Sequence, residues 1–110
     1  MTDCGDAIEE GPELVYIYVE MMIHDPERLK QYTALSAPAV KAAGGRYIVL
    51  GRPECLEGTC TTDRAALVEF DTAEAARSFH HSTAYQAAQE KRLGAAEFRM
   101  VLLEGVATTP

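Results

Sequence analysis

The chain has 110 residues, 47% of them hydrophobic and 25% charged, with a formal net charge of -7. That is the size of one globular domain, long enough to bury a core and too short for two. No apolar stretch approaches the ~20 residues that cross a bilayer, and no basic patch interleaved with aromatics marks a nucleic-acid surface.

The acid is unevenly spread. Residues 1–13 hold Asp3, Asp6, Glu9, Glu10 and Glu13 without a base, which predicts a disordered acidic leader ahead of a nearly neutral domain over residues 14–105 and a short tail over 106–110. The first residues lack the basic flank and apolar core of a secretory signal, so the cytoplasm is the default compartment. Cys55 and Cys60 are separated by Leu56-Glu57-Gly58-Thr59, neither a redox pair nor a zinc-knuckle spacing. Reduced thiols and no structural metal are expected.

Residues 14–23, rich in β-branched and aromatic side chains, predict a strand that is apolar on both faces. His24-Asp25-Pro26-Glu27 then starts a helix: Asp25 accepts from free amides, Pro26 fits the first turn, and Glu27 suits the positive end of the dipole. Leu29, Tyr32, Ser36, Ala39, Val40 and Ala43 recur at helical spacing. Pro38 predicts a kink near Ser36 and Ala37, and Gly44-Gly45 a stop.

A second strand runs from Arg46 to Leu50, a polar loop turns at Gly58, and a third strand runs from Arg64 to Phe70. Asp71-Thr72-Ala73-Glu74 has the form of a capping box and opens a second helix, which Ser82 breaks by capping a further piece that carries Tyr85, Ala88 and Arg92. Gly94 ends that piece, and residues 98–104 make the last strand. The order βαββαβ predicts an α+β, ferredoxin-like antiparallel sheet with both helices on one face. The other face is also apolar, where exposure would demand polar alternation. A second copy covering it gives a homodimer with a barrel-like core.

The strand tyrosines before His24-Asp25-Pro26, Tyr32, Gly44-Gly45-Arg46-Tyr47, Leu56-Glu57-Gly58, Val68-Glu69-Phe70, and Ala75-Ala76-Arg77-Ser78-Phe79 with Ser82 and Tyr85 follow one another at a familiar spacing. The chain resembles the family called domain of unknown function 1330, over roughly residues 14–105. The resemblance implies a dimeric α+β barrel, the architecture shared with muconolactone isomerases and antibiotic-biosynthesis monooxygenases, with a pocket between sheet and helices and often no metal or organic cofactor. It implies no reaction. Members often carry a tyrosine, an acid and Ser-Pro-Glu-Tyr where this chain has His80 to Tyr85, so a better proton acceptor stands at position 80.

His80 and His81 are helix neighbours that point well apart, so one faces solvent. His80 shares a face with Ala73, Ala76 and Tyr85 and is the candidate acid or base. Its plainer reading is a cation favoured at a helix C-terminus. His24 reads as a turn histidine. Arg46, Arg52, Glu69 and Arg99 lie in or beside strands, where a charge is paired or faces water. They form ion pairs, as of Glu69 with an arginine, or hold a substrate carboxylate or enolate. Arg46 is the first choice for that second role and Arg52 a further contact. Tyr18, Tyr32, Tyr47, Tyr85 and Phe79 are core residues or the walls and hydroxyl donors of a pocket.

These candidates describe a small cofactor-free enzyme that moves a proton on a small organic molecule, by isomerisation, cyclisation or elimination. His80 is its acid or base, Arg46 steadies the anion, and Tyr32 and Tyr85 orient the substrate. The alternative is a cofactor-independent monooxygenase of an electron-rich phenol, and a third reading is a non-catalytic module for a small ligand. The expected partners are a second copy and that small molecule, with no metal, nucleic acid or membrane.

Overall fold

A computed structural model describes residues 14–106; the leader at 1–13 and the tail from 107 lie outside the described residues. The chain forms β1 (Val15–Ile23), α1 (Pro26–Ala42), β2 (Arg46–Gly51), β3 (Arg64–Phe70), α2 (Ala73–His81), α3 (Thr83–Lys91) and β4 (Ala96–Glu104). The strands make one antiparallel sheet in the order β2, β3, β1, β4. That is the ferredoxin-like order, with the first and third strands side by side at the centre.

The period-two pattern fixes which side of the sheet meets the helices. Val15, Ile17, Val19 and Met21 of β1 are buried on that side, with Ala66, Val68 and Phe70 of β3. Tyr16, Tyr18, Glu20 and Met22 face the other way and are partly covered. Against this one face lie three helical pieces instead of two, because Ser82 ends α2 and caps α3. Its Oγ donates to the Phe79 carbonyl at 2.7 Å and accepts from the Tyr85 amide at 3.1 Å.

Asp25 caps α1, accepting from the Arg28 amide at 3.2 Å. At α2 the cap falls one residue later than the sequence pattern suggests: Thr72 accepts from the Ala75 amide at 3.0 Å, and Asp71 is turned outward to an arginine. Helix α1 continues past Pro38 as one element and stops before Gly44, whose φ of 85° is open to glycine without strain. It packs closely on α3 and stands off from the sheet.

Two local features modify the regular plan. Edge strand β2 carries a bulge between Tyr47 and Val49, so Tyr47 and Leu50 both register opposite helix-side residues of β3, Val68 and Ala66. In the β2–β3 connection Cys55 and Cys60 are joined by a disulfide, which corrects the expectation of reduced thiols. Gly58 turns the chain at φ 81° and brings the two Cα atoms to 5.7 Å, within bridging range. No helix among the described residues is long and apolar enough to cross a membrane.

Gly45 leaves α1 in close contact with β3. A Cβ there would stand 2.7 Å from the Phe70 ring and 3.0 Å from Val40, whereas one on Gly51 would meet nothing within 4 Å. Gly45→Ala should therefore destabilise the fold by about 1–3 kcal/mol, and Gly51→Ala should stay within about 0.5 kcal/mol of the parent. Chemical denaturation of both variants checks the pair.

Candidate functional site

The gap between α1 and the sheet is a cavity of about 320 Å³, at the small end of ligand sites. Ile17, Val19 and Met21 form its floor with Val68, Phe98 and Met100, and Leu29 and Val40 its roof. Polar groups are few: Tyr32, Thr33 and Ser36 from α1, Tyr47 from β2 and Arg64 from β3. No carboxylate or imidazole lines it among the described residues.

At the inner end the Tyr32 and Tyr85 hydroxyls meet at 3.0 Å. The Tyr85 oxygen also lies 3.6 Å from Met100 Sδ, and the residue is fully buried. Burial first, and then the neighbouring Tyr85 hydroxyl, pushes the Tyr32 pKa far above the ordinary phenol value. Tyr32 is thus a permanent hydroxyl and never a base in the neutral range. Tyr47, although 42% exposed, is also pushed up, first by the burial of part of its ring, while a hydrogen-bonding contact with the Ser36 hydroxyl works the other way.

Ser36 lies one turn beyond Tyr32 on α1 and is only 1% exposed; its Oγ has no partner in full hydrogen-bonding geometry, although the Tyr47 hydroxyl is near enough to interact with it. An unmade buried hydrogen bond costs roughly 1–3 kcal/mol. A ligand oxygen in the cavity would recover it.

Behind this end stands Arg92, 9% exposed, its guanidinium 4.2 Å from the centre of the Phe98 ring and 5.6 Å from that of Tyr32. Its Nε has no partner, and among the described residues it has no carboxylate. Ring faces thus take the place of a counterion. The positive charge lies against the Tyr32 ring, where it works against the burial that disfavours the ionised hydroxyl.

The family model "Domain of unknown function (DUF1330)" matches residues 14–106. The chain belongs to the DUF1330 family. Solved structures place this DUF1330 chain among ferredoxin-like proteins. The methylated RPA0582 protein of Rhodopseudomonas palustris superposes with a TM-score of 0.74 at 16% identity, over 93% of this chain and 87% of that one. A dimeric ferredoxin-like protein of unknown function from Jannaschia sp. CCS1 gives 0.68 at 14% identity, over 84% and 99%. SnoaB, a cofactor-independent oxygenase from Streptomyces nogalater, gives 0.65 at 11% identity, over 89% and 98%. At these identities the likeness is one of fold. No curated protein matches the sequence significantly.

The candidate residues of this DUF1330 chain fall into three places. Tyr32, Tyr47 and Phe79 line the cavity, Tyr85 closes its inner end through Tyr32, and Arg52 lines a cleft beside its outer end. His80 lies elsewhere, in a shallower hollow with Ala76, Arg77, His81 and Leu102, separated from the cavity by the shared walls Ile17 and Met100. Its ring centre is 5.5 Å from that of Tyr85.

Arg46 and Tyr18 are on the opposite face of the sheet. Arg46 pairs with Glu69 at 2.8 Å and Asp71 at 3.2 Å, while the Tyr18 hydroxyl donates to Glu20 at 3.2 Å. His80, Arg46 and Tyr32 therefore do not share one pocket. Ser36, Arg64 and Arg92 are the residues that the candidate set lacked. Each had a signal: Ser36 breaks the apolar stripe of α1, Arg64 has the inward parity of Ala66 and Val68, and Arg92 lies two turns beyond Tyr85 on its helix.

Burial, then His81 and Arg92, depresses the His80 pKa, so folding favours its neutral ring. The stability this supplies is present above the unfolded value of about 6.5 and is lost as pH falls through the folded value. Thermal unfolding at pH 7.5 and pH 5 should show the parent losing more stability on acidification than His80→Asn. An equal loss in both would contradict this role of burial.

Proposed function

We propose that this chain is a cofactor-free enzyme that oxygenates a small electron-rich phenol or enol held between α1 and the sheet. The observation that carries the reading is the buried Ser36 hydroxyl, without a partner in full hydrogen-bonding geometry, beside Tyr47 and one turn from Tyr32 in a mainly apolar cavity. Hydroxyl donors in a largely apolar site stabilise an oxyanion strongly, because little water competes for it once a ligand fills the space. A substrate whose ring oxygen sits there becomes easier to ionise, and its electron-rich ring reacts with oxygen itself. A phenol and O2 then give a quinone and water: one oxygen atom becomes the new carbonyl, and the other leaves with the two displaced hydrogens. The fold likeness to the oxygenase SnoaB supports this reading.

Proton transfer by His80 is the second reading, favoured by the depressed pKa that leaves its ring neutral near pH 7. It places the substrate in the hollow beyond Met100 instead of in the cavity. A binding module without turnover is the third. All three are compatible with a homodimer built on the outer sheet face. A row of Leu67, Tyr18 and Val101 runs across that face in register, with Val49 continuing it on β2. Val49 and Val101 are 53% and 42% exposed, and the Jannaschia relative in fold is described as dimeric.

Oxygen uptake with a panel of naphthols and dihydroxynaphthalenes tests the reading. Turnover should consume O2, and Ser36→Ala or Tyr32→Phe should lower its rate about 100-fold, with His80→Phe close to the parent. Loss of turnover in His80→Phe alone would favour proton transfer. Binding with no turnover on any of the panel would favour the module.

A further inference from the structure

The outer end of the cavity differs in character from the inner one. Leu29, Thr33 and Arg64 line both the cavity and an adjoining cleft of about 550 Å³, so this cleft is the cavity's mouth. It is walled by the start of α1, at Pro26 and Lys30, and by the chain around Arg52 and Asp63. Arg64 registers opposite Met21, on the helix side of the sheet, which directs it to the threshold between the two spaces.

The charges at the mouth are unbalanced. Lys30, Arg52 and Arg64 face it, against Asp63 alone. Asp63 is occupied structurally, since its Oδ2 accepts from the Ile23 amide at 2.8 Å. Lys30 is steadied by Glu27 at 3.1 Å. Among the described residues neither Arg52 nor Arg64 joins an ion pair, whereas Arg46 and Arg99 on the other face are both paired. Two solvent-exposed guanidinium forks outside any ion pair, at the rim of an apolar space, suit a planar anion that accepts from both prongs.

We propose that the substrate is an organic acid with an apolar, ring-sized body, and that Arg64, with Arg52 beside it, holds its carboxylate at the mouth. The inference rests on the cavity being the substrate site and adds the class of molecule it takes. The ligand is bipolar: its carboxylate lies at Arg64, its ring between Met21 and Val40, and its second oxygen at Ser36. Recognition at two opposed ends fixes which way round the ring lies, and so which carbon reacts.

The test uses two probes of equal shape, 6-hydroxy-2-naphthoic acid and its uncharged primary amide, titrated calorimetrically against the full chain. The acid should bind about tenfold tighter or more. Arg64→Gln should bring the acid down to the level of the amide without moving the amide, and Arg52→Gln should remove part of the difference. Equal affinities of acid and amide for the parent would overturn the proposal without any variant. So would an Arg64→Gln chain, folded by thermal unfolding, that keeps the preference. Amide binding that Ser36→Ala weakens, in company with either result, would leave the cavity standing and remove only the carboxylate site. Binding of neither probe would overturn both.

Discussion

Tyr32 and Tyr85 tie α1 to α3 by hydroxyls 3.0 Å apart and rings set edge-on with centres at 6.0 Å, and the place of the cavity follows from that tie. Each buried hydroxyl needs a partner, and the one at hand for Tyr32 is on the neighbouring helix, not on the sheet. Helix α1 thus leans on α3 and leaves a space over β1 and β3 that its side chains line without filling. The aromatic contacts continue outward, with Phe98 at 5.1 Å from Tyr32 and Phe79 at 4.8 Å from Tyr85. Arg92 caps the cluster from the side. The same residues that hold the helices together therefore form the polar end of the site.

The two faces of the sheet carry different chemistry. On the helix side, hydroxyls and three guanidinium groups without a carboxylate, those of Arg52, Arg64 and Arg92, surround an apolar space. On the other, Arg46 with Glu69 and Asp71, and Arg99 with Glu20 at 2.9 Å, bracket the apolar row that crosses the strands at Tyr18. Charge that is satisfied within the chain orients a face without acting on a substrate. Charge left open at a cavity mouth is available to a ligand.

Much of the fold was legible in the residues. The alternation of Val15, Ile17, Val19 and Met21, the Asp25-Pro26 start and the Ser82 break each give one local structure, and they agree with one another. Sites were harder, because parity along a strand holds only while the pleat is regular. The bulge at Ile48 carries Leu50 to the side of Tyr47, and no propensity marks it. In sequence Arg46 could join an ion pair or hold a substrate anion, and the strand pairing that brings Glu69 to it, with Asp71 beyond, decides for the ion pair. His80 drew attention by its chemistry, but the turn of α2 points it past Met100 into a separate hollow. Closure of Cys55 on Cys60 depends on a turn at Gly58 that spacing alone does not specify.

The proposed reaction needs a substrate oxygen against Ser36 at the inner end of the cavity. A crystal structure of the chain grown with saturating 2-naphthol tests it most directly. The ring should lie between α1 and the sheet with its oxygen within about 3.2 Å of Ser36 Oγ. An empty cavity, or a naphthol bound in the hollow beside His80, would contradict it.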